Sequence, residues 1–235
     1  MGLALQNPYN RDMPFESVRK VAEADFPTRW GHFRIFGFVG ERSSVTPEAG
    51  CETSPAQNGQ TEEMVALVMG DVSTTPPIVR IHSQCLTGDV FGSLRCDCRL
   101  QLELALRTIA DAGAGILLYE QQEGRGIGLM PKLQAYALQD KGLDTVEANE
   151  QLGFKADCRA FELPAEVLKL MGIPQVRLMT NNPEKVAALE AAGVRVVDRI
   201  SAVVESQESF EKYLQVKREK MGHLDDEGSL KATKV

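Results

Sequence analysis

Three of the chain's five cysteines stand in one short segment, "HSQCLTGDVFGSLRCDCRLQ", which runs from His82 to Gln101. Ten residues separate Cys85 from Cys96, and one separates Cys96 from Cys98. Thiolates are preferred zinc ligands, and an extended chain would point the last two sulfurs to the same side. Two glycines let the loop fold back toward Cys85. Three thiolates leave the fourth tetrahedral position open, as a catalytic zinc requires if it is to activate water.

Two other interpretations of these cysteines stay open at this point. Free cysteine is often buried, so packing alone would explain a single cysteine, although the clustering makes chance packing the weaker explanation. His82 precedes Cys85 by three residues and could supply a fourth ligand. A saturated site of three cysteines and one histidine would be structural and would leave no position for water.

A glycine-rich turn follows a predicted strand in "GILLYEQQEGRGIGLMPKL", residues 115–133. Such a turn lets backbone N–H groups approach an anion where the next helix begins. Gly124, Gly126 and Gly128 do not have the spacing of a dinucleotide-binding fingerprint, and no Gly-Lys-Ser/Thr follows, which excludes a Walker A loop. The phosphate-binding signal is therefore weak, and a tight turn without a ligand is the alternative.

Two further places carry charged side chains that could serve a site. Asp157 and Arg159 are two residues apart, so they would face the same side of an extended segment, and a surface ion pair is the plainer interpretation. Thr180 ends a predicted strand, and Lys185 falls in the first turn of the next helix. Ligands favour the carboxyl ends of strands in α/β sheets, although exposed lysines are common.

Strands and helices alternate through the middle of the chain. The predicted strands are 63–71, 77–82, 115–120, 176–180 and 194–197, and the predicted helices are 100–113, 131–142, 164–172, 181–193 and 208–220. Gly113 is the expected end of the first helix, and Asn182 is the expected cap of the helix that Pro183 begins. The pattern predicts an α/β fold, a three-layer α/β/α arrangement with a mixed, partly parallel sheet and an antiparallel N-terminal portion.

Three segments lie outside this regular pattern. Residues 1–16 are predicted to be a flexible leader and residues 224–235 a disordered tail, which leaves one domain over residues 17–223. Residues 41–62 are rich in Ser, Thr, Pro, Gly and Glu and are predicted to form a mobile surface loop. Cys51 in that loop is expected to be exposed, isolated and without a role.

Composition excludes several classes of protein. Apolar content of 43% and charged content of 25% are ordinary for a globular protein. No stretch approaches the length of a membrane span and no secretory signal is evident, so we expect a cytoplasmic protein without a membrane partner. Reducing conditions there favour metal binding or catalysis over disulfides for clustered cysteines. A net charge of -7 gives no hint of a basic face for nucleic acid.

An anionic small molecule remains a possible substrate if positive charge is concentrated locally. The central segment does concentrate arginine, at Arg80, Arg95, Arg99, Arg125, Arg159 and Arg177. For any single one of them, a solvated surface position is the simpler interpretation.

Several long motifs in one order resemble the GTP cyclohydrolase II family, which carries out the first committed step of riboflavin synthesis. They are "VRIHSQCLTGDVFGSLRCDC", "QEGRGIGL", "AYALQDKGLDTVEANEQLGF" and "TNNPEKVAALEAAG", with Asp157 and Arg159 in an Ala-Asp-x-Arg pattern. The resemblance runs from about Val18 to "EKMGHL" near the end. No segment resembles the dihydroxybutanone-phosphate synthase domain often fused to this family, which implies a monofunctional enzyme that is typically a homodimer.

The resemblance also implies a reaction and its parts. The family opens the guanine imidazole ring of GTP and releases formate and pyrophosphate, using one zinc per subunit and magnesium with the triphosphate. Cys85, Cys96 and Cys98 would be the zinc ligands, with water in the fourth place. Asp157 matches the proton acceptor, and Arg159 the residue assigned as nucleophile. The implied substrate contacts are Arg80, Ile81, His82, Ser83, Gln84, Gln101, Glu123, Gly124, Arg125, Tyr136, Thr145, Thr180 and Lys185.

The chain departs from the family's pattern in places. The family usually has Glu at Gln84, Arg at Gln121 and Gln134, and Gly at Arg99. We therefore expect redistributed positive charge near the phosphates, with Arg99 compensating. A guanidinium stays protonated, with a pKa above ~12, so Arg159 is expected to stabilise charge at the α-phosphate rather than to attack it. Tyr136 matches the tyrosine associated with completing the reaction, so full conversion is expected.

Two other functions stay open from the sequence. One is a non-catalytic, zinc-stabilised protein that binds GTP but releases no formate. The other is a zinc-ribbon-like interaction module, which the strand, glycine-rich turn and helix at residues 115–142 argue against.

Overall fold

A computed structural model describes residues 15–42, 49–51 and 61–204. The strands are β1 (Phe15–Thr28), β2 (Gly31–Arg42), β3 (Thr61–Met69), β4 (Ile78–Ser83), β5 (Gly115–Glu120), β6 (Gln175–Met179) and β7 (Arg195–Ile200). The helices are α1 (Cys98–Ala112), α2 (Leu129–Gln139), α3 (Thr145–Gln151), α4 (Glu162–Leu170) and α5 (Pro183–Ala191). Single turns lie at Leu86–Val90 and Glu123–Gly126. Among the described helices, none is long and apolar enough to cross a membrane.

The strands form one mixed sheet in the order β1-β2-β3-β5-β4-β6-β7. The first four strands in this order pair antiparallel, while β4 pairs parallel with both β5 and β6, and β6 pairs parallel with β7. The predicted mixed sheet with an antiparallel N-terminal portion is confirmed. Because β4 and β5 run side by side, Ser83 and Glu120 lie opposite each other where both strands end.

Helices cover both faces of the sheet. Ile116 and Leu118 of β5 pack in one cluster with Leu168 of α4, whereas Leu117 packs in a second cluster with Ile109 of α1. Successive side chains of a strand point to opposite faces, so these clusters lie on the two sides of the sheet. Each buried aliphatic side chain contributes about 1.5–3 kcal/mol. The predicted three-layer α/β/α fold is therefore confirmed.

Most of the predicted elements are present, and some of their predicted ends are wrong. Gly113 ends α1 with a φ of 71°, and the Asn182 side chain accepts the Glu184 N–H at 2.9 Å to cap α5. The helices predicted to begin at Pro131 and Pro164 instead begin two residues earlier. The first N–H groups of a helix have no partner within it, so a proline in the first turn costs no hydrogen bond. The predicted helix at residues 208–220 lies outside the described residues.

Strands β1 and β2 occupy a region where the sequence pattern predicts no element. Much of β1 is exposed, and it lacks a regular alternation of apolar and polar residues. Phe15 is buried at its start, so residues 15 and 16 of the predicted leader belong to the sheet. The described ends of the predicted loop 41–62 also belong to β2 and β3, and its middle is largely outside the described residues.

The prediction that Cys51 is exposed and isolated is wrong. Cys51 is fully buried and forms a disulfide with Cys158, 107 residues further along the chain. The backbone N–H of Lys155 also donates to the Gly50 carbonyl oxygen at 3.2 Å. The composition around Cys51 predicts a loop but carries no information about a partner so distant in sequence.

Candidate active site

The three clustered cysteines meet at one point. Cys85 follows β4. Cys96 comes just before α1 and Cys98 is the first residue of α1, so these two cysteines do not lie in an extended segment. Their sulfur atoms all lie within 4.8 Å of one another, and the Sγ atoms of Cys85 and Cys96 are 3.7 Å apart. Tetrahedral zinc with Zn–S distances of ~2.3 Å places two sulfurs about 3.8 Å apart. The cluster could therefore hold a metal ion, consistent with zinc, and chance packing is the poorer explanation.

Gly88 leaves the space in which these sulfurs meet. It lies in the turn Leu86–Val90, and a Cβ atom there would be 3.0 Å from Cys96 Sγ and 3.1 Å from Cys85 Sγ. Its N–H donates to Cys85 Sγ at 3.4 Å. A side chain at this position would fill the space between the sulfurs, so the backbone as well as the donor set fits a metal.

His82 does not complete a closed site. Its Nε2 lies 3.1 Å from the Asp89 carboxylate and its ring stacks on Tyr119. Burial lowers the pKa of His82 more than Asp89 raises it. Asp89 also accepts the Cys85 N–H at 3.0 Å and the Tyr119 hydroxyl at 2.9 Å. In the described part of the chain, the metal-capable group comprises the three cysteines without His82.

Lys132 joins the sulfur cluster to the glycine-rich turn. Its Nζ donates to Cys85 Sγ at 3.1 Å and to Glu123 Oε1 at 2.7 Å, while Glu123 Oε2 accepts the Leu86 N–H at 2.7 Å. Burial lowers the pKa of Lys132, but Cys85 and Glu123 outweigh burial and raise it. Hydrogen bonding among the thiols lowers the pKa of Cys85 and raises that of Cys96 to about 11. Lys132 therefore places a positive charge beside Cys85.

The cysteines line a cavity of about 460 Å³, within the usual range of small-molecule sites. The predicted site residues that also line it are Arg80, His82, Ser83, Gln84, Gln101, Glu123, Gly124, Arg125, Tyr136, Thr145, Arg159, Thr180 and Lys185. Two predicted residues do not line it. The Ile81 side chain is buried in the core. Its carbonyl oxygen accepts a hydrogen bond at 2.9 Å from Nζ of the lining residue Lys185. Asp157 instead contacts Arg159.

Several cationic side chains of this cavity are buried. Arg80 donates to Gln101 Oε1 at 2.6 Å and to the Met179 carbonyl oxygen at 3.0 Å, while its Nε is a buried donor without a hydrogen bond. Burial lowers the pKa of Arg80 to about 10 and also lowers that of Lys185. Buried positive groups with unused donors favour an anionic ligand. The surface interpretation of Arg80 and Lys185 is therefore wrong.

Asp157 and Arg159 form a partly buried ion pair rather than a surface one. Arg159 Nε donates to Asp157 Oδ1 at 2.9 Å and Nη2 donates to Oδ2 at 2.5 Å, and the two side chains are only 13% and 14% exposed. Burial raises the pKa of Asp157, but the Arg159 guanidinium outweighs burial and holds it below its usual value. Cys158, between them in sequence, carries the disulfide to Cys51. The Asp157 carboxylate is therefore ionised, and the disulfide at Cys158 restrains the backbone between the two residues.

The arginines outside the cavity have other partners. Arg99 Nε donates to Glu103 Oε1 at 3.1 Å and Arg99 does not line the cavity, so its charge does not compensate there. Arg177 lies 3.6 Å from the Asp198 carboxylate on the sheet. Gln121 is exposed, and its amide donates to Glu63 at 3.3 Å. Of the positions that depart from the family's pattern, Gln84 lines the cavity.

Some residues around the cavity were not predicted from the sequence. Glu120 is buried against two lining residues, because its carboxylate accepts from Ser83 Oγ at 3.0 Å and from Gln122 Nε2 at 3.2 Å. Burial raises the pKa of Glu120 to about 7. A carboxylate at the end of a buried strand is a signal that could have identified it. Lys132 offered no comparable signal, because only the folded chain brings α2 to the cysteines.

Comparison with known proteins shows which sequences this chain resembles. The profile of the GTP cyclohydrolase II family matches residues 19–201. The GTP cyclohydrolase-2 of Enterobacter sp. (strain 638) is 52% identical over 208 residues, which cover 88% of this chain and 97% of that protein. Those of Cronobacter sakazakii (strain ATCC BAA-894) and Escherichia coli (strain K12 / DH10B) are 51% identical with the same coverage.

A solved structure also shows a weak similarity. It is a two-domain 3,4-dihydroxy-2-butanone 4-phosphate synthase from A. baumannii, with a TM-score of 0.41 and 16% identity over 80% of this chain and 40% of that one. This similarity is too weak to carry an argument. The family profile and the relatives establish the assignment: the chain belongs to the GTP cyclohydrolase II family.

Proposed function

We propose that this protein converts GTP to 2,5-diamino-6-(5-phosphoribosylamino)pyrimidin-4(3H)-one, with release of formate and pyrophosphate, as the first step of riboflavin biosynthesis. The observation that carries the proposal is one cavity lined both by a metal-capable sulfur cluster and by buried cations. Such a cavity offers Lewis-acid chemistry for the guanine ring and positive charge for the triphosphate in the same place.

Cys85, Cys96 and Cys98 would hold one zinc ion per subunit. When bound, zinc supplies a Lewis acid that lowers the pKa of a coordinated water to ~7, which suits hydrolysis at C8 of guanine and of the formyl group. The chain's own part is to fix the sulfurs. Asp89 holds the Cys85 backbone N–H, and Gly88 keeps the space between the sulfurs clear.

Glu123 would read the edge of the guanine base. A carboxylate has about four acceptor positions, and Lys132 Nζ, the Leu86 N–H and the Gly124 N–H already donate to Glu123. The remaining position could accept from the guanine edge, and a contact to both N1–H and the 2-amino group would require one of these donors to move away. Lys132 and the Leu86 N–H hold its two oxygens beside Cys85. Glu123 would then accept from the base next to the metal site, as ring opening requires.

Arg80, Arg125 and Lys185 would bind the triphosphate, and magnesium would neutralise part of the remaining negative charge. The unused buried Nε of Arg80 supports this assignment, because a phosphate oxygen would supply its missing partner. The remaining predicted contacts, namely Ile81, His82, Ser83, Gln84, Gly124, Gln101, Thr145 and Thr180, would shape the walls and fix the nucleoside.

Arg159 would stabilise negative charge at the α-phosphate as pyrophosphate leaves. Its guanidinium stays protonated beside Asp157, and a protonated guanidinium is a poor nucleophile. Asp157 is ionised, so its carboxylate can hold the Arg159 guanidinium in position and can also accept a proton. Trapping a phosphate covalently linked to Arg159 by mass spectrometry would contradict this assignment.

Two further features of the proposal concern assembly and location. We expect a homodimer, as the resemblance implies, and a cytoplasmic location. Light scattering should then give a mass twice the 25.8 kDa of one chain.

The activity is tested by incubating metal-replete protein with GTP and Mg²⁺. Formate, pyrophosphate and the absorbance of the pyrimidine product should all increase, and Cys96→Ser should lose these signals together with its zinc. Retention of zinc and GTP binding without formate would instead identify a non-catalytic nucleotide-binding protein.

A further inference from the structure

The Lys132 ammonium group lies between the sulfur cluster and the Glu123 carboxylate, two parts of the site that the proposed reaction uses together. Lys132 Nζ lies 3.1 Å from Cys85 Sγ and 2.7 Å from Glu123 Oε1. The Lys132 and Glu123 side chains are 12% and 8% exposed, so solvent screens this contact only weakly. Lys132 therefore belongs to the site.

The backbone of the glycine-rich turn is shaped to admit this lysine. Gly124 has a φ of 62°, and a Cβ atom at this position would lie 3.1 Å from Lys132 Cβ. The left-handed φ and this close approach both favour glycine. The turn thus brings α2 close enough for Lys132 to reach the sulfur cluster.

Formal charges show why a cation is useful at this point. Three thiolates and one divalent ion sum to a charge of -1, and the Lys132 ammonium brings the sum to zero. Thiolates donate electron density and so weaken a metal as a Lewis acid. A hydrogen bond from a cation to one ligand withdraws part of that density, which is how groups around the ligands tune a metal.

We propose that Lys132 is a positioning residue that offsets the charge of the Cys85 thiolate and orients the Glu123 carboxylate for the base. The inference rests on the proposed function for its substrate and its zinc. It assigns Lys132 a part in both metal chemistry and guanine recognition. An ordinary buried ion pair between Lys132 and Glu123 would affect only stability.

The charge effect is tested without catalysis, by replacing zinc with Co²⁺ and recording the sulfur-to-cobalt charge-transfer band. Removing the ammonium raises the energy of the sulfur electrons, so Lys132→Met should shift the band to longer wavelength. Lys132→Arg should restore the wild-type position, and exposed Lys141→Met should leave it unchanged. Lys132→Gln, also uncharged, should show the same shift and serves if the Met variant does not fold. Wild-type bands in both uncharged variants would overturn the charge effect.

The orienting effect is tested by comparing GTP with ITP, which lacks the 2-amino group. In Lys132→Met, the GTP-to-ITP ratio of kcat/KM should fall about tenfold or more, the scale of one hydrogen bond to a charged group. Lys132→Arg should recover it. Glu123→Gln gives the reference, because it alters the reading group directly.

The outcomes separate this inference from the proposed function. A ratio that falls in Glu123→Gln but not in Lys132→Met overturns the orienting role of Lys132. A ratio unchanged in Glu123→Gln overturns base reading by Glu123, which belongs to the proposed function, and with it the orienting role. Absence of formate from the wild-type protein overturns the activity, and the cobalt band still tests the charge effect.

Discussion

Gly88 brings no chemistry of its own, yet it determines whether the three sulfurs can meet. A methyl group at this position would press on Cys85 Sγ and Cys96 Sγ. We predict that Gly88→Ala purifies with well under one zinc per chain and loses formate release about 100-fold, as expected when a metal ligand set is displaced. Metal analysis and circular dichroism check both parts. Gly92→Asn is the matched control, because Gly92 faces open space in a left-handed conformation that asparagine tolerates.

Tyr136 is the residue we expect to separate ring opening from deformylation. Its hydroxyl lies 3.2 Å from Thr87 Oγ1, which itself lies 3.6 Å from Cys85 Sγ. Tyr136→Phe should slow formate release about 100-fold, the scale of a lost proton-transferring group, while pyrophosphate release continues. The ratio of formate to pyrophosphate measures this directly. Equal losses of both products would show that Tyr136 does not act at the second hydrolysis.

Glu120 predicts a pH dependence of stability. Burial raises its pKa from 4.5 to about 7, so between these pH values the folded protein holds a proton that the unfolded chain has released. The free energy of unfolding should therefore fall as pH rises through this window, by up to about 3 kcal/mol. Urea titrations at several pH values measure the slope. Glu120→Gln should flatten it, and a slope that persists unchanged would remove Glu120 as its source.

At the scale of single residues, the sequence predicts those residues whose chemistry follows from their type, such as the cysteines. The cysteine spacing identifies the metal cluster, and the family motifs identify most of the cavity lining. Lys132, Gly88 and Asp89 act through contacts between separate segments. Their roles depend on distances that only the fold sets, so spacing along the chain could not reveal them.

At the scale of elements, the disulfide between Cys51 and Cys158 ties residues 49–51 to the stretch that carries Asp157 and Arg159. Chelator-treated, denatured protein should expose three alkylatable thiols per chain without reductant and five with it. Cys51→Ala should lower the free energy of unfolding by about 3 kcal/mol, because the bridge closes a long loop. Five thiols without reductant would show that the bridge is absent in solution.

Element prediction succeeds where periodicity is strong and fails where it is weak. Helix α1 and strands β4 and β5 follow from their apolar patterns and from Gly113. The exposed edge strand β1 lacks such a pattern, since one edge and much of its surface face solvent. Position in the sheet does not by itself decide the outcome, because the edge strand β7 was predicted, whereas β2, between β1 and β3, was not.

At the scale of the whole molecule, strand order builds the site. Alternation of strands and helices predicts an α/β sheet, but it does not predict that β3 pairs with β5 while β4 lies on the far side of β5. That order places the ends of β4 and β5 together, with Cys85 following one and the glycine-rich turn following the other. Pairing between strands distant in sequence depends on packing, which periodicity does not encode.

The most direct test of the account is X-ray absorption at the zinc edge of the purified protein. Three sulfur neighbours at about 2.3 Å and one lighter neighbour at about 2.0 Å, with one zinc per chain, is the predicted result. Cys96→Ser should lose the zinc. Four sulfur neighbours, an imidazole signature in the fourth position, or a protein that releases formate without zinc would contradict the account.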